Sequence, residues 1–587
     1  MGGFKLRGIN RKSRFRSGVY IPPQDWSNDV IFTVEGSGAV SFNTQPLTKI
    51  VNMRTKQVIH ESPEDSISSG TTMTITTGQY RLKNPPPNLR IRSPVITSIE
   101  RWGHRDSEYF SSIDITVSSK LHTLPDYLPK TVTSLENFFN GCTVYNGLTT
   151  TGTIDSWDVS RVRSMKGMFS NTANFNCDIS SWDTSNVTTM ESMFQGAQKF
   201  NKNLNTWDTS KVTNMSYMFA STVVFNGAIN TWNTSNVTNM SYMFNSAVAF
   251  NNEIKNWNVV RVTNMSYMFA GSYAFNNEIK NWNVGNVTNM SYMFSNTHKF
   301  NSQVLWSGSF RLTNVVGMFS GARAFVNGVQ LYTNLVTSFY KMFDGALKFA
   351  GGASFNALNA TDISYALANT PEMTSTVSFS NTSKVTNASY LFYNAKKYAG
   401  SAPTLANVTN ITSMFDGASA FNSSVSGINT SKVTSFEYVF RNASSFNQNV
   451  SWTTTNATTF KEMFSGCTMF NGNVPFDTTN ALNYQGMFMN CASFNKPCEF
   501  NTAKATNMSY MFYGCSVFNQ NIRSWNVRMV SSMTYMFYNC KVFKQNLNYW
   551  KVTRITTKPK GFDTGATAWI EYDSNQGGAQ KPRWGEP

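Results

Sequence analysis

Long apolar runs are missing from this 587-residue chain. No segment approaches the roughly eighteen apolar residues in a row that a membrane-spanning helix requires. The first stretch, "MGGFKLRGINRKSRFRSG", has the charge of a secretory leader with no apolar run behind it, and Leu6 stands where a myristoylation signal needs Ser or Thr. The expectation is a protein assembled inside a cell, a virion component first and a cell-surface or extracellular protein second. Histidine is scarce: His60, His104, His122 and His298 share no motif. No nucleophile elbow, zinc-protease helix, phosphate-binding loop or dinucleotide-binding glycine pattern occurs. The seven cysteines form no C-x-x-C pair. These absences argue against catalytic residues, a metal site and a cofactor. Charge is thin as well, at 14 % of residues, yet the net charge is +17.

What the chain has in abundance is repetition. "NVTNMSYMF" occurs at 236–244 and again at 286–294, with close variants at 211–219, 261–269 and 505–512. The closing aromatic stands at Phe169, Phe194, Phe219, Phe244, Phe269, Phe294 and Phe319, 25 residues apart, and continues to Phe537 in steps of 23 to 25 with Leu367 as one replacement. Trp157, Trp182, Trp207, Trp232, Trp257 and Trp282 precede this marker by twelve, and Phe175 to Phe300 follow it by six. A unit this short cannot bury an apolar face by itself, whereas stacked units share one core. Within a unit, the spacing of Val212, Met215, Met218 and Phe219 predicts a short helical turn. "FNGAINTW" at 225–232 predicts a short strand. The predicted fold class is therefore an α/β repeat solenoid of about seventeen coils, with parallel strands and short helical turns, preceded by a small all-β domain.

The phrase "SMTYMFYNCKVFKQNLNYWKV" and its relatives resemble the BspA-type leucine-rich repeats of bacterial surface proteins, also found in phage and large-virus proteins. "LHTLPDYLPKTVTSLENFF" at 121–139 carries the ordinary leucine-rich pattern, and the likeness extends over about residues 121–550. The resemblance implies a non-enzymatic adhesion or scaffold protein and fixes no ligand.

The domain boundaries follow from composition. Residues 1–28 form a basic arm, in which Lys5, Arg7, Arg11, Lys12, Arg14 and Arg16 have no acid among them. Such an arm suits an acidic partner, namely other structural proteins of a particle or surface, an anionic membrane or nucleic acid. Nucleic acid has no other candidate contact. Residues 29–92 alternate like a small β-sandwich, and "KNPPPNLRIRSP" at 83–94 reads as a stiff linker. Residues 93–138 comprise linker and N-terminal cap, 139–550 the array, and 551–587 a C-terminal cap with a polar, loose tail. Between 343 and 440 the pattern frays: Trp disappears and "FAGGASFNALNA" is rich in Gly and Ala.

Three columns need interpretation. Cys142, Cys467, Cys491, Cys515 and Cys540 share the column three after the marker with Ala197, Ala247 and Ala322, as a tight, buried position would. Asp158, Asp183 and Asp208 give way to Asn at 233, 258 and 283, which favours a local turn over a calcium ladder. Outward neighbours of the core residues Leu204, Ile229, Ile254 and Ile279 are Asn203, Asn205, Asn230, Glu253, Lys255, Glu278 and Lys280. These make the candidate ligand face, for glycan or protein. The leading functional expectation is a non-enzymatic virion fibre, decoration or minor structural protein, with a bacterial cell-surface adhesin second. The binding module of a glycan-active enzyme is third.

Overall fold

The computed structural model describes residues 29–45, 47–62, 69–103, 109–110, 112–117, 120–374, 377–569 and 581–585. The basic arm, with Lys5, Arg7, Arg11, Lys12, Arg14 and Arg16, lies outside the described residues. The N-terminal region is built from β1 (Val30–Val34), β2 (Gly38–Thr44), β3 (Lys49–Asn52), β4 (Val58–Glu61), β5 (Ser69–Ile75), β6 (Gly78–Lys83), β7 (Asn88–Ser93), β8 (Ile96–Trp102) and β9 (Ser112–Val117). They form two sheets, ordered β4-β3-β6-β1-β8 and β5-β2-β7-β9, antiparallel except where β7 meets β9. Phe42 and Tyr80 meet Phe32 between the layers, with ring centroids 5.6 and 5.7 Å from it.

The linker expected at 83–94 is a correction. Asn88–Ser93 is a strand inside the second sheet, with Leu89 and Ile91 buried and Arg90 and Arg92 exposed. That period-two alternation outweighs the stiffness of the preceding prolines. The all-β region likewise runs past residue 92, because β8 and β9 complete its two sheets. The open edge of β8 is covered by the first coil, where Ile99 N–H donates to the Thr123 carbonyl at 3.0 Å. An unpaired edge is thereby removed.

From residue 134 onward the chain repeats one coil. The marker rings lie face to face: Phe194–Phe219, Phe219–Phe244 and Phe244–Phe269 are 5.5, 5.6 and 5.7 Å apart and parallel within 7°. Val212, Met215, Met218 and Phe219 are fully buried, and one continuous hydrophobic cluster runs from Val30 to Trp569.

The helical turn expected in each coil is not formed. Among the described residues helical structure amounts to two single 3-10 turns, Ile154–Ser156 and Thr382–Lys384. The segment after Val212 instead uses its N–H groups alternately. Met215, Tyr217, Phe219 and Ser221 donate to Asn239, Ser241, Met243 and Asn245 of the next coil, while Met218 and Ala220 donate within the coil to Met215 and Tyr217. Two left-handed residues make this alternation feasible. Tyr217 and Ser221 have φ of 59° and 60°, and the same two columns are left-handed through the array, for example at Tyr242 and Ser246 or Gly417. Every donor is satisfied, half of them between coils, which a right-handed helix would not achieve. The array is therefore β-rich, without the expected α component.

The expected strand is also local. Only β10 (Val304–Trp306), β11 (Val329–Leu331), β12 (Ala353–Asn356) and β13 (Val377–Ser380) form a four-stranded parallel sheet among the array's described coils. In most other coils the corresponding stretch is held chiefly by side chains, with an occasional backbone bond such as Leu204 N–H to the Ala228 carbonyl and a parallel bridge between Leu405 and Ile428. Trp207, Trp232 and Trp257 donate their indole N–H to the carbonyls of Ile179, Leu204 and Ile229 at 3.0, 2.8 and 3.2 Å. Asn201, Asn226 and Asn251 accept on Oδ1 the backbone N–H of Asn226, Asn251 and Asn276 at 2.8, 2.9 and 2.8 Å.

Both ends are closed by rings set across the stack. Trp102 meets Phe138 edge-on at 73°, and at the far end Phe562 and Trp569 meet Phe537 at 82° and 79°. Part of the tail expected to be loose returns onto this cap: β14 (Lys551–Val552) pairs in parallel with β15 (Arg583–Trp584), and the Trp584 ring stands 4.9 Å from that of Phe562. No helix of the described residues is long and apolar enough to cross a membrane.

Candidate functional site

The candidate ligand face starts from the buried residues Leu204, Ile229, Ile254 and Ile279, whose neighbours turn outward. Asn203 Oδ1 accepts the Ala228 N–H at 2.9 Å, and Asn205 Nδ2 donates to Asn230 Oδ1 at 2.9 Å. These three asparagines thus stitch two coils together, which occupies part of their bonding capacity. One and two coils on, Lys255 pairs with Glu253, and Lys280 pairs with Glu278 at 2.7 Å. The hydrogen bond and charge of Glu253 raise the Lys255 pKa, and those of Lys280 lower the Glu278 pKa. All four side chains are half exposed. The face is consequently polar and self-neutralised, suited to hydrogen bonding and shape and without long-range pull.

The remaining columns resolve locally. Asp158, Asp183 and Asp208 accept the N–H of Ser160, Ser185 and Ser210, and Asn233 does the same for Ser235. An Asx turn explains why Asp and Asn interchange. All seven cysteines are buried free thiols. Cys467, Cys491, Cys515 and Cys540 donate S–H to the carbonyls of Phe440, Phe464, Phe488 and Phe512 at 2.8 to 3.0 Å. Thr172 and Ser272 make the same bond to Phe139 and Phe244 from that column. Burial pushes the Cys491 and Cys515 thiols well up. Among the described residues no cluster of His, Cys, Asp or Glu is placed to hold a metal ion.

Sequence reading missed a shallow groove of about 650 Å³ over the parallel sheet, lined by Ser307, Gln330, Tyr332, Gly352, Ser354 and Ser378. Its signal was the loss of Trp together with the run of Gly, Ala and Ser, seen there only as fraying. A second groove, of about 500 Å³, runs along Asn449, Asn473, Phe476 and Glu499.

The repeat is shared with other proteins. The profile of a family described as "Mycoplasma protein of unknown function, DUF285" matches residues 133–247, 199–308, 224–332, 313–404, 401–499 and 474–571. No curated protein matches the chain closely enough to mark a relative.

Proposed function

The chain belongs to this DUF285 family, and on that premise we propose that it is a non-enzymatic structural and attachment protein, a BspA-like leucine-rich-repeat solenoid that presents an extended side to a glycan or protein ligand. The observation that carries the reading is the division of each coil. Core columns are held constant and buried through one unbroken cluster, while the positions beside Leu204, Ile229, Ile254 and Ile279 vary and face outward. Parallel bridges at one position per coil, such as Asn214 with Asn239 and Asn239 with Asn264, support the solenoid reading. Repeat arrays of this kind use extended surfaces for contact.

The proposed setting is a virion, with the basic arm engaging other structural proteins and the array projecting. A bacterial cell-surface adhesin is the second setting, favoured by the family's description as a Mycoplasma protein. Proteomic analysis of purified particles against surface-labelled cells separates the two. For the ligand face, reversing the charges of Glu253, Lys255, Glu278 and Lys280 and probing a printed array of glycans and matrix proteins is the direct test. Loss of a wild-type signal supports the face; an unchanged binding profile removes it.

A further inference from the structure

Between the Trp and Val columns each coil makes a tight turn, and the residue that closes it, eight before the marker, follows a rule. Arg161, Lys211, Arg261 and Arg311 alternate with Asn186, Asn236 and Asn286. After a break at Leu335 the alternation resumes with Lys384 and Lys432. The structure shows how the two residue types cooperate. Asn186 and Asn236 donate Nδ2 to the carbonyls of Ser160 and Ser210 at 2.8 and 2.7 Å. Their Oδ1 atoms then accept from the next cation, Lys211 Nζ at 2.7 Å and Arg261 Nη1 at 2.8 Å. Lys384 and Lys432 are held by Asn359 and Asn407 in the same way, at 2.6 and 2.8 Å.

Lys211, Arg261, Lys384 and Lys432 are therefore each aimed by a neutral neighbour, and Arg161 and Arg311 share their column. All six cations of the column, Arg161, Lys211, Arg261, Arg311, Lys384 and Lys432, are exposed, and among the described residues none forms an ion pair. Lys255 and Lys280, by contrast, are each matched to a glutamate. The Asp column beside the row has turned to Asn by residue 233, so the charge of Arg261 and Arg311 is unopposed there. Two residues on from the cation column, Thr213, Thr238 and Thr263 are exposed and donate to carbonyls of the preceding coil, which leaves oxygen lone pairs to accept from a ligand hydroxyl.

Two coils separate successive cations, about 10 Å at ordinary strand spacing. Duplex DNA carries one phosphate per about 3.4 Å of axis on each strand, so most of its charge would go unmatched on such a row. A linear glycan with an acid on alternate sugars offers widely spaced charge with hydroxyls between, which suits the cations and threonines together. We propose that this row is a track for a linear acidic polysaccharide carrying one carboxylate per disaccharide. The proposal uses residues outside the candidate ligand face, so either can fail alone.

The test is a binding titration of the full chain with hyaluronate, polygalacturonate and duplex DNA at about 50 and 200 mM salt, repeated on a Lys211→Gln/Arg261→Gln/Arg311→Gln variant. Glutamine removes the charge and keeps an amide donor on the side chain. The expected result is binding of hyaluronate that weakens with salt and falls about tenfold or more in the variant, with its unfolding temperature unchanged. A Lys384→Gln/Lys432→Gln variant, expected to weaken binding in the same direction, stands in if the triple variant misfolds. Absent hyaluronate binding, affinity unaffected by the substitutions, or DNA or polygalacturonate bound as tightly as hyaluronate would overturn the proposal.

Discussion

The coils between Trp157 and Asn301 and those between Val304 and Ser380 solve one stacking problem with different bonds. In the first group side chains do the joining. Trp207, Trp232 and Trp257 lie parallel within 5°, each with its indole N–H on a carbonyl of the preceding coil. The Asn column adds one side-chain-to-backbone bond per step. In the second group both devices lapse after Trp306 and Val326, and backbone pairs directly in β10 to β13. The marker rings Phe319 and Phe343 still stack within 3°, but beneath the sheet Phe355 lies at 37° and Phe339 at 76° to Phe379. Side-chain joints demand one residue type at one position, so the sequence there is nearly invariant from coil to coil. Backbone joints demand only small residues where chains close in, and the shallow groove opens over that stretch.

The largest expected effect breaks the first group. Phe244→Ala should cost about 3–5 kcal/mol, because a fully buried ring stacked on both neighbours is lost. Hydrogen exchange should show the damage in adjoining coils. Unchanged thermal unfolding would refute the shared core. Next comes the second group's backbone joint. An added Cβ at Gly351 would sit 2.1 Å from the Gly328 nitrogen, whereas Gly308 has open space. Gly351→Ala is expected to destabilise by about 1–3 kcal/mol and Gly308→Ala much less; equal unfolding midpoints would show that the close approach is not needed.

A smaller effect sharpens the contrast. Asn251→Ala removes the acceptor for Asn276 N–H at an exposed joint and should cost about 1 kcal/mol in denaturant unfolding. No loss would demote the Asn column to decoration. The least effect is expected at the thiol column, where Cys491→Ala imitates Ala197 and Ala247 and should cost about 1 kcal/mol or less. All seven thiols should resist alkylation in the folded protein and react after denaturation. Rapid labelling of Cys491 in folded protein would contradict its burial.

Much of this architecture can be read from the letters, since a buried column recurs wherever its neighbours stack. The Phe, Met, Trp and Ile columns and the small Cys/Ala position are of that kind. The helical turn is where reading failed. Apolar residues at steps of three, three and one fit a right-handed helix, but they also fit consecutive turns with left-handed residues between them. The discriminating signal was the column two after the marker, where Asn171, Gly196, Asn296 and Gly321 stand in the left-handed region. The candidate face was legible as outward positions, yet the pairing of Lys255 with Glu253 depends on rotamers that no periodicity reports. The Arg/Asn alternation was in plain view and passed over, because its period is two coils instead of one.

The edge-on rings at the two ends bear on how such a chain changes length over generations. The coils between Trp157 and Asn301 present the same joint above and below, and the phrase at 236–244 recurs unaltered at 286–294. Recombination between two such copies would excise or duplicate whole coils and recreate the joint it severed. Trp102 on one side and Phe562 with Trp569 on the other are outside that exchange and would seal arrays of any length. The gene encoding this protein can thus behave as an adjustable ruler, with its two stops inherited separately from its divisions.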